Sequence, residues 1–277
     1  MCGRFTQQRP TSELARIFEA DDLADDPGEH YNVAPTDGAA VVVQHDDRRA
    51  VVRYGWGLIP GWATDGRSRS RAFNARAETI ATSPMFRDAL RRRRCLVPVD
   101  GFYEWRRSGS GRQPMWIHDP AEGVLVLAGL WTGRRDRESG EWHRTFTIVT
   151  TRPNEFMSSI HDRMPVILPR DAWSSWLEVP GARAADGEAT DTAEGEPAGL
   201  RRASGRPGGT RPDVGELRAL LEPRDDIPLA ARPVSRLVNN VRNDGPTLIL
   251  PMIAEPGAPQ PGPTPRSPAP RDPARQG

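Results

Sequence analysis

Cys95-Leu96-Val97-Pro98-Val99 runs directly into Asp100-Gly101-Phe102-Tyr103-Glu104-Trp105. The first five residues have no polar face, which reads as a strand buried on both sides, with Cys95 an inert core thiol. The second stretch is strand-like again, and it sets Glu104 between two aromatic residues. The same signature recurs in both directions. Upstream, residues 40–44 and 51–54 flank His45-Asp46-Asp47 and read as a β-hairpin. Downstream, strands are expected at 115–117, 124–131 and 145–151, separated by Gly/Arg-rich turns. The fold class that follows is α+β: a single domain of mostly antiparallel short strands forming a barrel-like or two-sheet core with peripheral helices.

The helices are short. Pro10-Thr11-Ser12 caps a segment with Leu14, Ile17 and Phe18 on one face, and the acidic run 21–26 after it reads as a solvated loop. Pro84 falls in the first turn of a helix that points Phe86 and Leu90 inward and ends in Arg91-Arg92-Arg93-Arg94. Cations at a helix C-terminus complement its dipole, and the four-Arg run is read that way in preference to a nucleic-acid patch. Asn154 starts another helix, a Trp-bearing one is expected over 172–177, and helical spacing resumes at Val214, Leu217, Leu220 and Leu221. Between these last two, residues 181–211 hold one large apolar side chain, Leu200, too little to order the segment. The stretch 254–277 carries eight prolines and reads as a disordered tail. The folded domain is thus 2–253 with an inserted 181–211.

The chain of 277 residues has a net charge of +1, so no global field draws it to nucleic acid, and any such binding must come from a local groove. Every basic residue is arginine, a planar group suited to bidentate phosphate contact. Two cysteines far apart, no signal-peptide core and no long apolar run point to a monomeric cytoplasmic protein with no membrane partner. No CxxC pair, HExxH, Walker loop or GxGxxG occurs, and His30, His45, His118, His143 and His161 lack metal-site spacing. Neither a metal nor a cofactor is expected.

The chemistry is concentrated at the start, Met1-Cys2-Gly3-Arg4. Trimming of Met1 would leave Cys2 with an α-amine and a thiol on adjacent carbons. Such an aminothiol condenses with an aldehyde to an imine, and the thiol then closes a five-membered thiazolidine. Both groups are partly nucleophilic near neutral pH. Glu104 invites a raised pKa by burial and a general acid/base role, or it is a strand residue on a solvent face. A histidine such as His161 titrates near neutrality, or it is a satisfied semi-buried ring. Asn74, followed by Arg76 and Glu78, also reads as helix capping. Gly55-Trp56-Gly57-Leu58-Ile59-Pro60-Gly61-Trp62 suits neither helix nor strand. It is either a Trp-anchored loop or a base-stacking surface.

Taken together, the motifs resemble one family. Met-Cys-Gly-Arg-Phe at the start, Tyr31-Asn32-Val33-Ala34-Pro35-Thr36, Trp56-Gly57-Leu58-Ile59-Pro60 and Asn74-Ala75-Arg76-Ala77-Glu78 occur in its order. So do Cys95-Leu96-Val97-Pro98 with Gly101-Phe102-Tyr103-Glu104-Trp105, then Thr150-Thr151 with Asn154, and His161-Asp162-Arg163-Met164-Pro165. Pro233-Val234-Ser235 and Val238-Asn239 resemble its closing motif. The family is SRAP, the SOS-response-associated peptidases. The resemblance implies recognition of abasic sites in single-stranded DNA. It also implies a covalent link from the N-terminal Cys to C1′ of the ring-opened sugar. By that resemblance Cys2 supplies amine and thiol, Asn74 holds the opened sugar, Glu104 shuttles protons and His161 is acid/base on the sugar oxygen. Arg4, Arg76 and Arg163 are implied as phosphate contacts and Trp56, Trp62 and Trp105 as stacking surfaces. Asn32, Pro35 and Thr150 complete the implied DNA-contacting set. A literal peptidase with Cys2 as nucleophile, or a noncovalent single-strand-binding module, are the alternatives.

Overall fold

The structure, a computed structural model, describes residues 2–45, 48–60, 72–109, 111–136, 139–178 and 214–252. The expectations for the 181–211 insertion, the 254–277 tail and Trp62 lie outside the described residues.

The apolar run at 95–99 forms β7 (Arg94–Val99) and is buried throughout. Its alternate residues enter two different cores: Cys95, Val97 and Val99 one, Leu96 the other. β4 (Gly38–His45) divides the same way, Ala39, Val41 and Val43 against Ala40 and Val42. Period-2 geometry makes the split, and a strand apolar on both faces needs cover on both. β7 pairs antiparallel with β4 and with β10 (Leu125–Arg135). β4 pairs with β5 (Arg48–Trp56), and β10 pairs with β11 (Trp142–Thr151). β11 then meets β5 in parallel through Thr145↔Gly55 and Phe146↔Trp56. These five strands form a closed ring, which leaves none of them with a bare edge on the ring path. Gly129, in the middle of β10, admits the close neighbour: a Cβ there would lie 2.7 Å from Cys95 Sγ.

The helices cover the ring from outside. α1 (Thr11–Phe18), α2 (Arg87–Arg92) and α4 (Trp173–Leu177) contribute Leu14, Phe18, Leu90, Trp173 and Trp176 to the second core. Its members from α5 (Val214–Ala219) and just beyond are Leu217 and Leu221. The first core continues into a second sheet, ordered β13 (Ala230–Pro233), β9 (Gly111–His118), β8 (Gly101–Ser108), β1 (Phe5–Gln7), β3 (His30–Val33). Phe5, Val33, Phe102, Met115 and Ile117 are its share. The opposite face of this sheet buries Tyr31, Tyr103 and Trp116 under Val234, Val238 and Leu248. Gly101 is needed here, since a Cβ would lie 2.5 Å from the Trp116 ring.

Three expectations are refined. The acidic run is not all loop: Asp21–Asp22, β2, pairs in parallel with Ala50 and Val51 of β5. Main-chain pairing needs no apolar side chain, and Arg48 bonds Asp21 at 2.6 Å. The helix expected from Pro84 begins at Arg87, because Phe86 and Arg87 first close a turn on the Ser83 carbonyl. The four-Arg run divides: Arg91 and Arg92 are exposed, whereas Arg94 is 2% exposed. Arg94 donates to the Leu90 and Arg91 carbonyls at the end of α2 and to Trp176 and Glu178 at the end of α4. Burial pulls its pKa down to about 10.

Candidate active site

β1 lies between β8 and β3 in the second sheet, Phe5 standing opposite both Phe102 and Val33. The Tyr103 amide donates to the Arg4 carbonyl at 3.0 Å, extending the pairing toward the terminus. Cys2 is carried into the first core, where it is fully buried beside Phe5. β6 (Asn74–Arg76) runs parallel to β11 with Asn74 opposite Ile148, and Asn74 Nδ2 donates to the Cys2 carbonyl at 2.8 Å. The buried Oδ1 of Asn74 has no hydrogen-bond partner among the described residues. Burial pushes the Cys2 thiol well up, and the Glu104 carboxylate pushes further. At neutral pH the sulfur therefore holds its proton.

Glu104 sits opposite Met115 on β8, and period 2 turns it to the same side as Phe102, into the first core. It is 1% exposed, which excludes the solvent-face reading. Burial raises its pKa, against the pull of the chain's amino terminus and of His161. His161 follows α3 (Glu155–Ser158), which Asn154 caps by accepting the Met157 amide at 2.9 Å. His161 Nε2 lies 3.6 Å from Glu104 Oε2. Nδ1 faces both main-chain groups of Arg163, accepting from the amide at 3.0 Å when it is bare and able to donate to the carbonyl at 3.2 Å when it carries a proton. Asp162 Oδ1, 2.9 Å from Nδ1, is the partner available when that nitrogen is protonated. The ring is supported in both protonation states.

The arginines fall in two places, Arg163 and Arg76 beside β11 and Arg4 just before β1. Arg163 bonds Glu78 through both carboxylate oxygens and Thr150 through its carbonyl at 2.7 Å. That pairing holds Glu78 below the usual carboxylate range. Arg76 is exposed on the same β6 as Asn74. Arg4 lies beside the closing segment, donating to Asn32 Oδ1 and the Val238 carbonyl at 2.7 Å each. Trp105 is beside it, its Nε1 bonded to Asn239 Oδ1 at 2.7 Å. Pro35 is half-buried before Thr36, whose φ of 86° is left-handed.

Three expected DNA contacts are corrected. Trp56 is fully buried, in ring contact with Phe5, Phe73 and Phe146 and donating to the Phe73 carbonyl, so it anchors the core and offers no stacking face. Asn32, 2% exposed, spends its amide on the Val238, Asn240 and Asn243 carbonyls. Thr150, fully buried, is the anchor for Arg163.

The family model for SOS response associated peptidases (SRAP) matches residues 1–198. The chain belongs to the SRAP family. It is 36% identical over 253 residues to the abasic site processing protein YoaM of Bacillus subtilis, covering 90% of this chain and 97% of that one. To YedK of Escherichia coli, also named an abasic site processing protein, it is 29% identical over 259 residues, covering 91% and 100%. HMCES of Gallus gallus is 30% identical over 256 residues, covering 80% of this chain and 66% of its own length. In fold, it superposes on a Bacteroides thetaiotaomicron protein with a TM-score of 0.72 at 24% identity, over 91% of this chain and all of that one.

Sequence reasoning on this SRAP chain left Glu78, Asp162 and Asn239 without roles, although all three stand inside quoted motifs. Each is a partner of a named residue: Glu78 of Arg163, Asp162 of His161, Asn239 of Trp105. Adjacency made Asp162 findable. The other two pairs are 85 and 134 residues apart.

Proposed function

We propose that this SRAP protein captures abasic sites in single-stranded DNA, through a thiazolidine built on Cys2 after removal of Met1. The observation that carries the reading is the Asn74–Cys2 bond, which fixes the terminal residue beside a buried carboxylate rather than in solvent. The steps need little more than proton traffic. His161 protonates the ring oxygen of the sugar as the C1′–O bond breaks, while the C1′ hydroxyl gives its proton to water and becomes the aldehyde. The Cys2 amine, once its ammonium proton has passed to Glu104, attacks C1′ to give a carbinolamine. That species loses water to the imine, with the acid proton supplied by Glu104. The S–H then adds across C=N: a C–S bond forms, and the sulfur's proton ends on nitrogen. The unpartnered Asn74 Oδ1 is a hydrogen-bond acceptor for a hydroxyl of the opened sugar. Arg76, Arg163 and Arg4 are the proposed phosphate contacts and Trp105 the stacking surface.

Incubation with a single-stranded oligonucleotide bearing one abasic site tests the reading. A band shift that survives SDS is expected. A shift lost in SDS would leave only a noncovalent binding module. Peptide cleavage without an adduct would leave a peptidase with Cys2 as nucleophile.

A further inference from the structure

α3 is a single turn, too short to hold itself, and His161 lies three residues beyond its end. The His161 amide donates to the Met157 carbonyl at 2.9 Å, so the placement of the ring depends on this turn. The turn is held from a segment 70 residues further along the chain. Asn154, whose Oδ1 takes the Met157 amide, donates through Nδ2 to the Arg224 carbonyl at 2.8 Å. The Glu155 amide, the first of the turn, donates to Asp225 Oδ1 at 2.9 Å. An oxygen there satisfies a donor that the turn itself leaves open, and a carboxylate suits the positive end of the turn. Arg152 pairs with Glu222 at 2.9 Å on the surface, where an ion pair adds little.

Segment 222–226 is itself anchored at both ends. Leu221 before it is buried in the second core, and Ile227 after it packs against the first. Within it, Arg224 Nε donates to Asp226 Oδ1 at 2.8 Å, a pair that brackets Asp225. A run of hydrogen bonds thus passes from Arg224 through Asn154 and Met157 to the His161 main chain, and Asp225 joins it at Glu155. The ring stands 3.6 Å from Glu104 Oε2, so a small shift of the turn changes what it meets. We infer that Asp225 is a positioning residue for His161, acting through α3. The inference rests on the proposed role of His161 for its kinetic consequence, and on geometry alone for the placement of the ring.

With only five histidines in the chain, the ring can be followed directly. In imidazole NMR spectra of the full-length protein without DNA, the His161 signal, assigned by its loss in His161→Ala, should move in Asp225→Ala while the other four stay. Asp225→Asn keeps an oxygen for the Glu155 amide and should return the signal to its place. A His161 signal that stays in Asp225→Ala, moves together with the other four, or fails to return in Asp225→Asn overturns the inference. With saturating abasic single strand, Asp225→Ala should slow adduct formation about fivefold, the population ratio a typical cap sets. Asp225→Asn should match the parent, and thermal melts check that every variant is folded. Adding Asp225→Ala to His161→Ala should cost nothing more, because the effect passes through the ring. An unchanged rate in Asp225→Ala, or the same loss in the His161→Ala background, overturns the inference. A parent that forms no SDS-resistant adduct would end the proposed function and leave the histidine spectrum to decide the positioning.

Discussion

His161 Nε2 lies 3.6 Å from Glu104 Oε2, although one residue follows a four-residue helix and the other sits inside a strand of the second sheet. The pair sets a buried carboxyl group beside a ring that remains partly exposed to solvent.

Glu104→Gln separates the charge from the shape. Burial raises the Glu104 pKa, so the folded protein keeps this proton at pH values where the unfolded chain, near the ordinary 4.5, has released it. Bound protons in the native state then exceed those in the unfolded state, and stability falls as pH rises above that point. Gln removes the titration. Thermal melts should show the variant more stable than the parent at pH 8, with the difference closing by pH 4. Adduct formation, timed on a denaturing gel, should slow about 100-fold or more. A parent that melts higher at pH 8 would contradict the burial argument.

Arg94→Met and Arg91→Ala test how the four-Arg run divides. Arg94 serves carbonyls at the ends of two helices, and removing it orphans those of Leu90 and Trp176, both residues of the second core. A loss of about 3 kcal/mol or more is expected from urea unfolding. Arg91 is exposed, and its replacement should stay within about 0.5 kcal/mol. Equal losses at both positions would mean the run acts as one unit.

Asn32→Ala probes the tie between the two ends of the domain. Asn32 accepts from Arg4, just before β1, and donates to the Val238, Asn240 and Asn243 carbonyls of the closing segment. Alanine strands buried polar groups on both sides, at about 2–3 kcal/mol. The urea midpoint should drop with the slope unchanged. An unchanged midpoint would show that water replaces the amide without loss.

The parts legible from sequence were those with local signatures. β4, β5, β7, β10 and β11 announced themselves by apolar runs, because strands covered on both faces carry little polar punctuation. Their closure was not legible: the β5–β11 contact pairs Gly55 with Thr145, and no local pattern encodes a partner that distant. Trp56 misled for a related reason. Glycine and proline around it signal a loop, but its ring is claimed by Phe5 and Phe146 from far along the chain. At the site, Cys2, Asn74, Glu104 and His161 were nameable from motif order, and burial then decided Glu104 against its solvent-face alternative. The Arg163–Glu78 pair was invisible because its members lie 85 residues apart in the chain.

The sharpest consequence concerns the two nucleophiles of Cys2. Cys2→Ala, with Met1 still removed, leaves the α-amine and deletes only the sulfur. The main-chain carbonyl that accepts from Asn74 is retained, so the terminus keeps its anchor. Imine formation should survive, while ring closure has no thiol to add. The variant should give no lasting adduct with an abasic single strand, yet be trapped by borohydride, which reduces an imine to a stable secondary amine. Its open imine should also promote strand cleavage by β-elimination, which the parent avoids by closing the ring. Adding one residue before Cys2 tests the converse. The amine becomes an amide and the thiol remains, so an internal-cysteine nucleophile would stay active in that variant. The aminothiol reading requires that it form neither a borohydride-trapped product nor a lasting adduct. An SDS-resistant band from the extended protein would end that reading.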